Sequence, residues 1–576
     1  MVARAARRTG GAQAITLDHG DLTSQMPQHG SPPPRRSSQP RVASWVPLVA
    51  ILVVQAILSL RLTWSNSAFQ DEALYLWAGH LQWASWLHGV SIAPAFPSYF
   101  SGAPVIYPPI GALADDLGGL AGARLLSLCF MLGATALLWS AARRLFDPRA
   151  AFFAAAFFAG TAATQFLGAF ATYDAMALVL LAAAAWCALR SGDCGRRAQL
   201  LLVTVVVALL VLASMTKYAS VLWDPVVLAL AALADGRRRG LRSGLQTGLA
   251  ATVLVAGVLT VAVLLASPAY WDGIRFSTLQ RSTGGTAPVA VLQQAGWWIG
   301  PVAVLAIAGA VISTMAPRWR QVTTRRQDTT GRQDTALVWI GWTLAAAVLL
   351  APVEQARIHT TVSLFKHVGY GGWFAAIMAG YAVSAMWQLA GAARGRRRAV
   401  TSSAVALLVA MGLTSAISAD QHYAGWPNTD TLIARLGPLV SHHPGPSLAE
   451  DPFVPSYYLA DPRTTWSNTW YFRYADSATG AVVAGLPAYA DAIRHHYFAV
   501  VVIGFTSTGA ADRAIEQDLS QNPGYRLVGT VPWSAGSARG YFLIWRYRPA
   551  ASARYFSWRE WVSNPLAAPR NQRGRQ

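Results

Sequence analysis

The chain has 576 residues, of which 54% are hydrophobic and 12% charged, and it carries a formal net charge of +20. Soluble domains hold about 25% charged residues, so this composition excludes an ordinary soluble enzyme and predicts a polytopic membrane protein. The basic excess argues against a nucleic-acid partner, because the arginines stand in short clusters between apolar runs.

Residues 1–44 are rich in Pro, Ser, Gly and Arg, lack apolar periodicity, and read as a disordered cytosolic tail. The apolar run that follows has no small-residue cleavage site behind it and reads as a retained anchor. A helix needs about 20 mostly apolar residues to cross a bilayer. Runs of that kind predict eleven spans, at 45–62, 121–141, 150–170, 174–190, 199–216, 219–235, 245–267, 297–315, 336–352, 369–389 and 400–418. The loops between them alternate in charge. One set holds nineteen arginines; the other holds only Lys217, Arg275, Arg281, Arg357 and Lys366. The asymmetry predicts a multi-pass plasma-membrane protein with a cytosolic N-terminus and an extracytoplasmic C-terminus. The 316–335 loop, with Arg326-Gln327-Asp328-Thr329 repeated as Arg332-Gln333-Asp334-Thr335, reads as a polar cytosolic linker.

Two loops on the other face are long. The first, 63–120, has no Lys or Arg but carries Trp64, Tyr75, Trp77, Trp83 and Trp86, a composition suited to short helices at the headgroup layer. The second, 268–296, contains Tyr270, Trp271, Asp272 and a Gly/Thr turn at 283–286. From about 419 the runs shorten. Strands are predicted at 447–450, 498–504, 525–531 and 541–547, and helices at 484–496 and 511–520. This alternation predicts a small α/β extracytoplasmic domain over 419–550, behind a transmembrane domain over 45–418 and before a flexible basic tail, 551–576. The three cysteines, Cys129, Cys187 and Cys194, lie outside that domain, so no disulfide framework is expected there.

The segment Ser67-Ala68-Phe69-Gln70-Asp71-Glu72-Ala73-Leu74-Tyr75 places two carboxylates just outside the first span. Ionisable groups at that depth are costly unless they pair, bind a metal or do chemistry. Neighbouring side chains on a helix point about 100° apart, so Asp71 and Glu72 serve different partners. The bland alternative is helix capping. Asp174 opens the fourth span, either as a cap or as a site acid. Asp115 and Asp116 read as a solvated turn. Among the basic residues, only Lys217 and Lys366 are lysines, and both stand at the outer ends of apolar segments. Arg357, His359, Lys366 and His367 crowd one outer loop as a candidate anion site. Arg124, inside the second span, pairs with an outer carboxylate or reaches an anionic ligand. No Walker loop, dinucleotide fingerprint, zinc cluster or nucleophile elbow is present. Carboxylates and cations at one membrane face suit transfer of a sugar from a lipid phosphate. A carboxylate takes the acceptor proton; Lys, Arg or a divalent Mg²⁺ or Mn²⁺ on Asp71 and Asp174 takes the phosphate charge.

These pieces resemble the GT-C polytopic glycosyltransferases, especially family 39, which includes protein O-mannosyltransferases and lipid A aminoarabinose transferases. The matching pieces are Asp71-Glu72, Tyr107-Pro108-Pro109, Arg124-Leu125, Tyr173-Asp174 and Thr216-Lys217, in order over roughly 45–235. The resemblance implies a polyprenyl-phosphate sugar donor, an inverting reaction, Asp71 as the catalytic carboxylate, Asp174 as a supporting acid, and phosphate contacts from Lys217 and Arg124. Tyr107 stands where the aminoarabinose transferases have a basic residue, and Lys366 with His367 is expected to supply the missing cation. The expected activity is therefore sugar transfer to an extracytoplasmic protein, glycolipid or envelope glycan. In it Asp71, Glu72 and Asp174 are catalytic, and Lys217, Arg124, Arg357, Lys366, His367 and Tyr107 hold the donor. The rival readings are a flippase for lipid-linked sugars, which would place charges at mid-membrane and show internal repeats, and a non-catalytic assembly protein.

Overall fold

The computed structural model describes residues 45–323, 330–476 and 479–548, without the side chains of 316–334. The expected tails at 1–44 and 551–576, and the first copy of the Arg-Gln-Asp-Thr repeat, lie outside the described residues. The helical region begins with α1 (Val46–Thr63), α2 (Gln70–His88), α3 (Tyr107–Leu145), α4 (Pro148–Gly160), α5 (Ala162–Leu167) and α6 (Tyr173–Ser191). It continues through α7 (Arg196–Thr216), α8 (Asp224–Arg239), α9 (Leu241–Leu265), α10 (Pro268–Ile274) and α11 (Pro288–Thr323). It ends with α12 (Thr330–Ala346), α13 (Leu350–Arg357), α14 (Leu364–Leu389) and α15 (Arg394–Tyr423).

Among the described residues, nine segments are long and apolar enough to cross a membrane, rather than the eleven expected. The expected 150–170 span breaks at Thr161, whose extended backbone and side chain cap α5 by accepting from Thr164 N. The expected 369–389 span is a real helix of 26 residues, but it is rich in Gly and Tyr. Neighbouring helices enclose α14 almost completely, so its sequence has no need of a lipid-facing apolar surface. Gly380 shows how closely: an added Cβ would lie 2.2 Å from Ala150 O on α4. By contrast, only 11% of the apolar window of α9 is buried, as a lipid-facing helix requires.

α3 starts well before the expected 121–141 span and is interrupted at Gly118 (φ −152°, ψ 18°) and Gly119 (φ 61°, ψ −161°). Asp115 and Asp116 precede this break inside the helix, not in a solvated turn. Asp115 accepts from Tyr457 Oη at 2.6 Å and pairs with His80 Nε2 at 2.8 Å. That hydrogen bond raises the His80 pKa. The long loops are partly helical: α2 and a 3₁₀ turn (Phe96–Tyr99) fill the first, α10 the second.

After α15 comes α16 (Asp430–His442), then β1 (Pro446–Ala449), α17 (Phe453–Leu459), β2 (Thr465–Asn468), β3 (Arg473–Ala475), β4 (Val482–Ala484), α18 (Leu486–Arg494), β5 (Val500–Ile503), α19 (Gly509–Gln521), β6 (Tyr525–Ala535) and β7 (Ala538–Tyr547). The main sheet has the order β2-β1-β5-β7-β6. β1 runs parallel to β2 and β5, and β7 antiparallel to β5 and β6. All four strands and both helices expected here are present. β5, Val-Val-Val-Ile, is buried on both faces, with Val501 and Ile503 against α18 and α19 residues and Val500 and Val502 against Leu432 and Leu436 of α16. A continuous β-branched run is the pattern such a central strand requires.

Candidate active site

The N-terminus of α2 sets the site. Glu72 stands one turn into the helix and accepts from Phe69 N at 3.1 Å, satisfying an orphan helix donor. The same carboxylate accepts from Arg124 Nε at 2.9 Å, Arg124 Nη2 at 2.7 Å and Ala171 N at 2.8 Å. Arg124 donates further to Thr63 O, Asn66 O and Ser67 O at 2.8, 2.8 and 3.1 Å. All five guanidinium donors are therefore used. Both side chains are almost wholly buried. These contacts leave Glu72 no free oxygen for the catalytic role expected of it, and Arg124 takes the carboxylate pairing rather than the expected phosphate contact. The two form a closed ion pair that ties α1, α2, α3 and the α5–α6 loop together.

Asp71, the next residue around the helix, turns to a different partner. Its Oδ2 accepts from Lys366 Nζ at 2.7 Å, and its side chain keeps 27% exposure, against 5% for Lys366. Among the described residues Oδ1 accepts no hydrogen bond. Lys366 enters from the first turn of α14 and also lies 5.0 Å from the Phe170 ring centre. A second pair forms beside it: Asp174, in the first turn of α6, accepts from Lys217 Nζ, both buried. Thr172 Oγ1 donates to Asp174 at 3.1 Å, and Tyr370 Oη donates to its backbone carbonyl at 3.0 Å.

Lys217 is held by its neighbours in sequence. Ala103 N donates to Met215 O at 2.7 Å and Tyr218 N to Ser101 O at 2.9 Å, clamping the 100–103 loop to the end of α7. The approach requires Gly102, where a Cβ would lie 2.0 Å from Thr216 O. Gly102→Ala is expected to cost about 1–3 kcal/mol, as overpacking does, read as a lowered thermal midpoint. Ser101 Oγ meets Tyr173 Oη, which in turn meets Tyr75 Oη at 2.5 Å. Tyr107 is fully buried with its ring edge-on to Tyr173 at 6.4 Å, so it lies in the aromatic layer beside the site.

Two further expectations change. Arg357 is bound to Glu354 at 2.6 Å, one turn back on α13, with its side chain 65% exposed; it does not join the cluster. Arg281, which the sequence marks only as an outer-loop cation, does. It donates to Val362 O at 3.1 Å and interacts electrostatically with Asp71, Tyr173 and His367. Burial pulls its pKa down while Tyr173 and Asp71 hold it up, and a guanidinium stays charged throughout. Gly284 N and Thr286 N donate to Ile358 O and His359 O at 3.0 Å each, zipping the Arg281 loop to the α13–α14 loop that precedes Lys366. His367 is buried, with Nδ1 donating to the Gln355 amide oxygen at 2.8 Å; the amide nitrogen donates to Thr360 O at 3.0 Å. Two carboxylates, two lysines and an arginine thus meet from α2, α6, the α7 end, the 281 loop and α14.

This donor set does not suit Mg²⁺ or Mn²⁺. Each carboxylate already faces an ammonium, and among the described residues no three His, Cys, Asp or Glu side chains stand together. Hard cations need several oxygen ligands at once, and these two ion pairs do not provide them.

Residues 110–271 match the family model described as dolichyl-phosphate-mannose-protein mannosyltransferase. ArnT from Cupriavidus metallidurans bound to undecaprenyl phosphate superposes with a TM-score of 0.55 at 16% identity, covering 87% of this chain and 98% of that one. The apo form of the same protein gives 0.54 at 17% identity, with the same coverage. The Archaeoglobus fulgidus oligosaccharyltransferase tethered to an acceptor peptide gives 0.54 at 14% identity, covering 87% of this chain and 74% of that one. Among curated proteins, no sequence matches. The chain therefore shares the fold of these polytopic membrane structures, and its residues 110–271 resemble the protein mannosyltransferases.

Proposed function

We propose that this chain is a membrane glycosyltransferase that moves a sugar from a polyprenyl-phosphate carrier to an extracytoplasmic acceptor, with inversion. The observation that carries the reading is the convergence of Asp71–Lys366 and Asp174–Lys217, with Arg281 beside them, at one end of the bundle. The undecaprenyl phosphate held by the similar ArnT structure supports the class of donor.

Asp71 Oδ1 takes the proton of the acceptor hydroxyl. The oxygen attacks the anomeric carbon, the bond from that carbon to the phosphate oxygen breaks, and the lipid phosphate leaves with an added negative charge. Lys217, Lys366 and Arg281 offset that charge where it develops. Asp174, closed in by Lys217, Thr172 and Tyr370, positions Lys217 and offers no face to the sugar. A single open carboxylate supports direct displacement over a covalent intermediate. The arginine-rich loops support a cytosolic N-terminus, which sets this end of the bundle outside the cytosol.

Purified protein with a synthetic polyprenyl-phosphate sugar is expected to transfer or slowly hydrolyse the sugar, and Lys217→Met to reduce turnover by about 10²-fold or more. Movement of intact donor across vesicles without cleavage would show a flippase instead.

A further inference from the structure

The main sheet of the C-terminal domain changes direction between β1 and β5: the chain moves from β1 to β2 on one side, and β5 pairs on the other. In open α/β sheets the crevice outside the strands' carboxyl ends at such a point is the usual ligand position. Glu450, just past β1, is consumed there. Its carboxylate accepts from Thr506 N at 3.1 Å, Ser507 N, Ser507 Oγ at 3.1 Å and Thr508 N at 3.0 Å.

Asp451 is not consumed in this way. Its carboxylate accepts from two backbone amides at the start of α17, Phe453 N at 3.1 Å and Val454 N, and from no side chain among the described residues. α17, which follows at once, is docked on α2. Val454 lies against Ala68 and Ala73, Phe453 against the cluster of Leu74 and Tyr75, and Tyr458 Oη accepts from Ala68 N at 2.8 Å. That docking brings Asp451 to the N-terminal turn of α2, within electrostatic reach of Asp71. At the carboxyl end of β2, Trp470 donates Nε1 to Glu450 O at 2.7 Å and meets Phe453 edge-on at 6.2 Å. Trp470 and Tyr471 nevertheless remain 48% and 56% exposed. Tyr99 of the 3₁₀ turn, on the same side as Tyr471, is 55% exposed. A carboxyl group beside open aromatic faces is the chemistry that holds a saccharide, whose hydroxyls bond to the acid and whose C–H face lies on the rings.

We propose that Asp451 is the acceptor-positioning residue of this site: it holds a saccharide acceptor against Trp470 and Tyr471 with one hydroxyl directed at Asp71. This rests on the glycosyltransferase reading and narrows its acceptor to a glycan. Burial, with Asp71 and Glu450 nearby, pushes the Asp451 carboxyl up to about 7. Its folded pKa thus exceeds the unfolded value of about 3.9. Between these values the folded state binds more protons, and Asp451 costs stability as pH rises. Of the charged groups facing it, Asp71 is paired to Lys366, and Glu450 is bound by the Thr506–Thr508 amides.

The test uses the full chain with a synthetic polyprenyl-phosphate sugar and three acceptors: octyl mannoside, octyl arabinofuranoside and a Ser/Thr peptide. Asp451→Asn and Trp470→Ala are each expected to raise KM for a glycoside by about tenfold or more, the effect of one charge-assisted or stacking contact, with donor KM within about twofold. Asp451→Asn is also expected to have a thermal midpoint at about pH 8 equal to or above that of the unchanged protein; a merely structural role predicts a fall. Unchanged glycoside KM in both variants, or transfer to the peptide alone, overturns the proposal. If no donor is turned over at all, the function fails separately, and glycoside binding followed by tryptophan fluorescence decides this site. Loss of binding in Asp451→Asn upholds it, and equal or absent binding overturns it.

Discussion

Asp71→Asn is expected to lower sugar transfer by about 10²-fold or more, the range for loss of a general base. Membrane expression is retained, and the thermal midpoint falls less than Glu72→Gln makes it fall, because Asp71 is part-exposed. The amide is isosteric, and its oxygen can still accept from Lys366, so the α2–α14 contact survives. What it loses is the capacity to take a proton at the position where no protein donor competes. Donor binding should persist, because Lys217, Lys366 and Arg281 remain. The measurement is turnover beside donor affinity and a thermal midpoint on the same preparation. Full activity in this variant removes Asp71 from the chemistry.

Glu72→Gln, one residue along, is expected to behave in the opposite way. It leaves Arg124 charged, buried and without its counter-ion, and breaking such a pair costs about 3–5 kcal/mol. An amide supplies only one acceptor oxygen where the carboxylate makes four bonds, two of them to the guanidinium. The expected result is poor expression and a depressed thermal midpoint, with turnover lost only in proportion to folded protein. Normal yield and stability, with activity selectively abolished, would instead place Glu72 in the reaction. The contrast between adjacent carboxylates is the sharpest available separation of scaffold from chemistry in this chain.

The sequence carries much of this site but not its internal accounting. The 100° offset between helical neighbours correctly divides Asp71 and Glu72 between different partners. The scarcity of lysine singles out Lys217 and Lys366, which the fold brings to the two acids from segments far apart in the chain. Arg357 was open to a local reading: Glu354 stands at i−3 on the same helix, a spacing that forms surface pairs. The saturation of Arg124 was not legible, since three of its five bonds go to backbone carbonyls whose direction depends on how the chain turns out of α1. Arg281 and Asp451 reach the cluster only through loop zippering and domain docking, and neither leaves a periodic signal. The α/β strands were legible because β5 is a buried β-branched run, whereas β3 and β4 are too short for alternation to register. The eleven-span expectation assumed that a run of the right length is one unbroken apolar helix; Thr161 and the composition of α14 defeat that assumption.

The enclosure of α14 bears on how the protein is made. Lys366 and His367 near the start of this helix are costly in hydrocarbon while their partners Asp71 and Gln355, on other segments, are not in place. Its polar groups gain by entering only once α2 and α13 stand ready to receive them. Biogenesis is therefore expected to be cooperative, with the N-terminal helices waiting for this late arrival before the reaction centre exists at all.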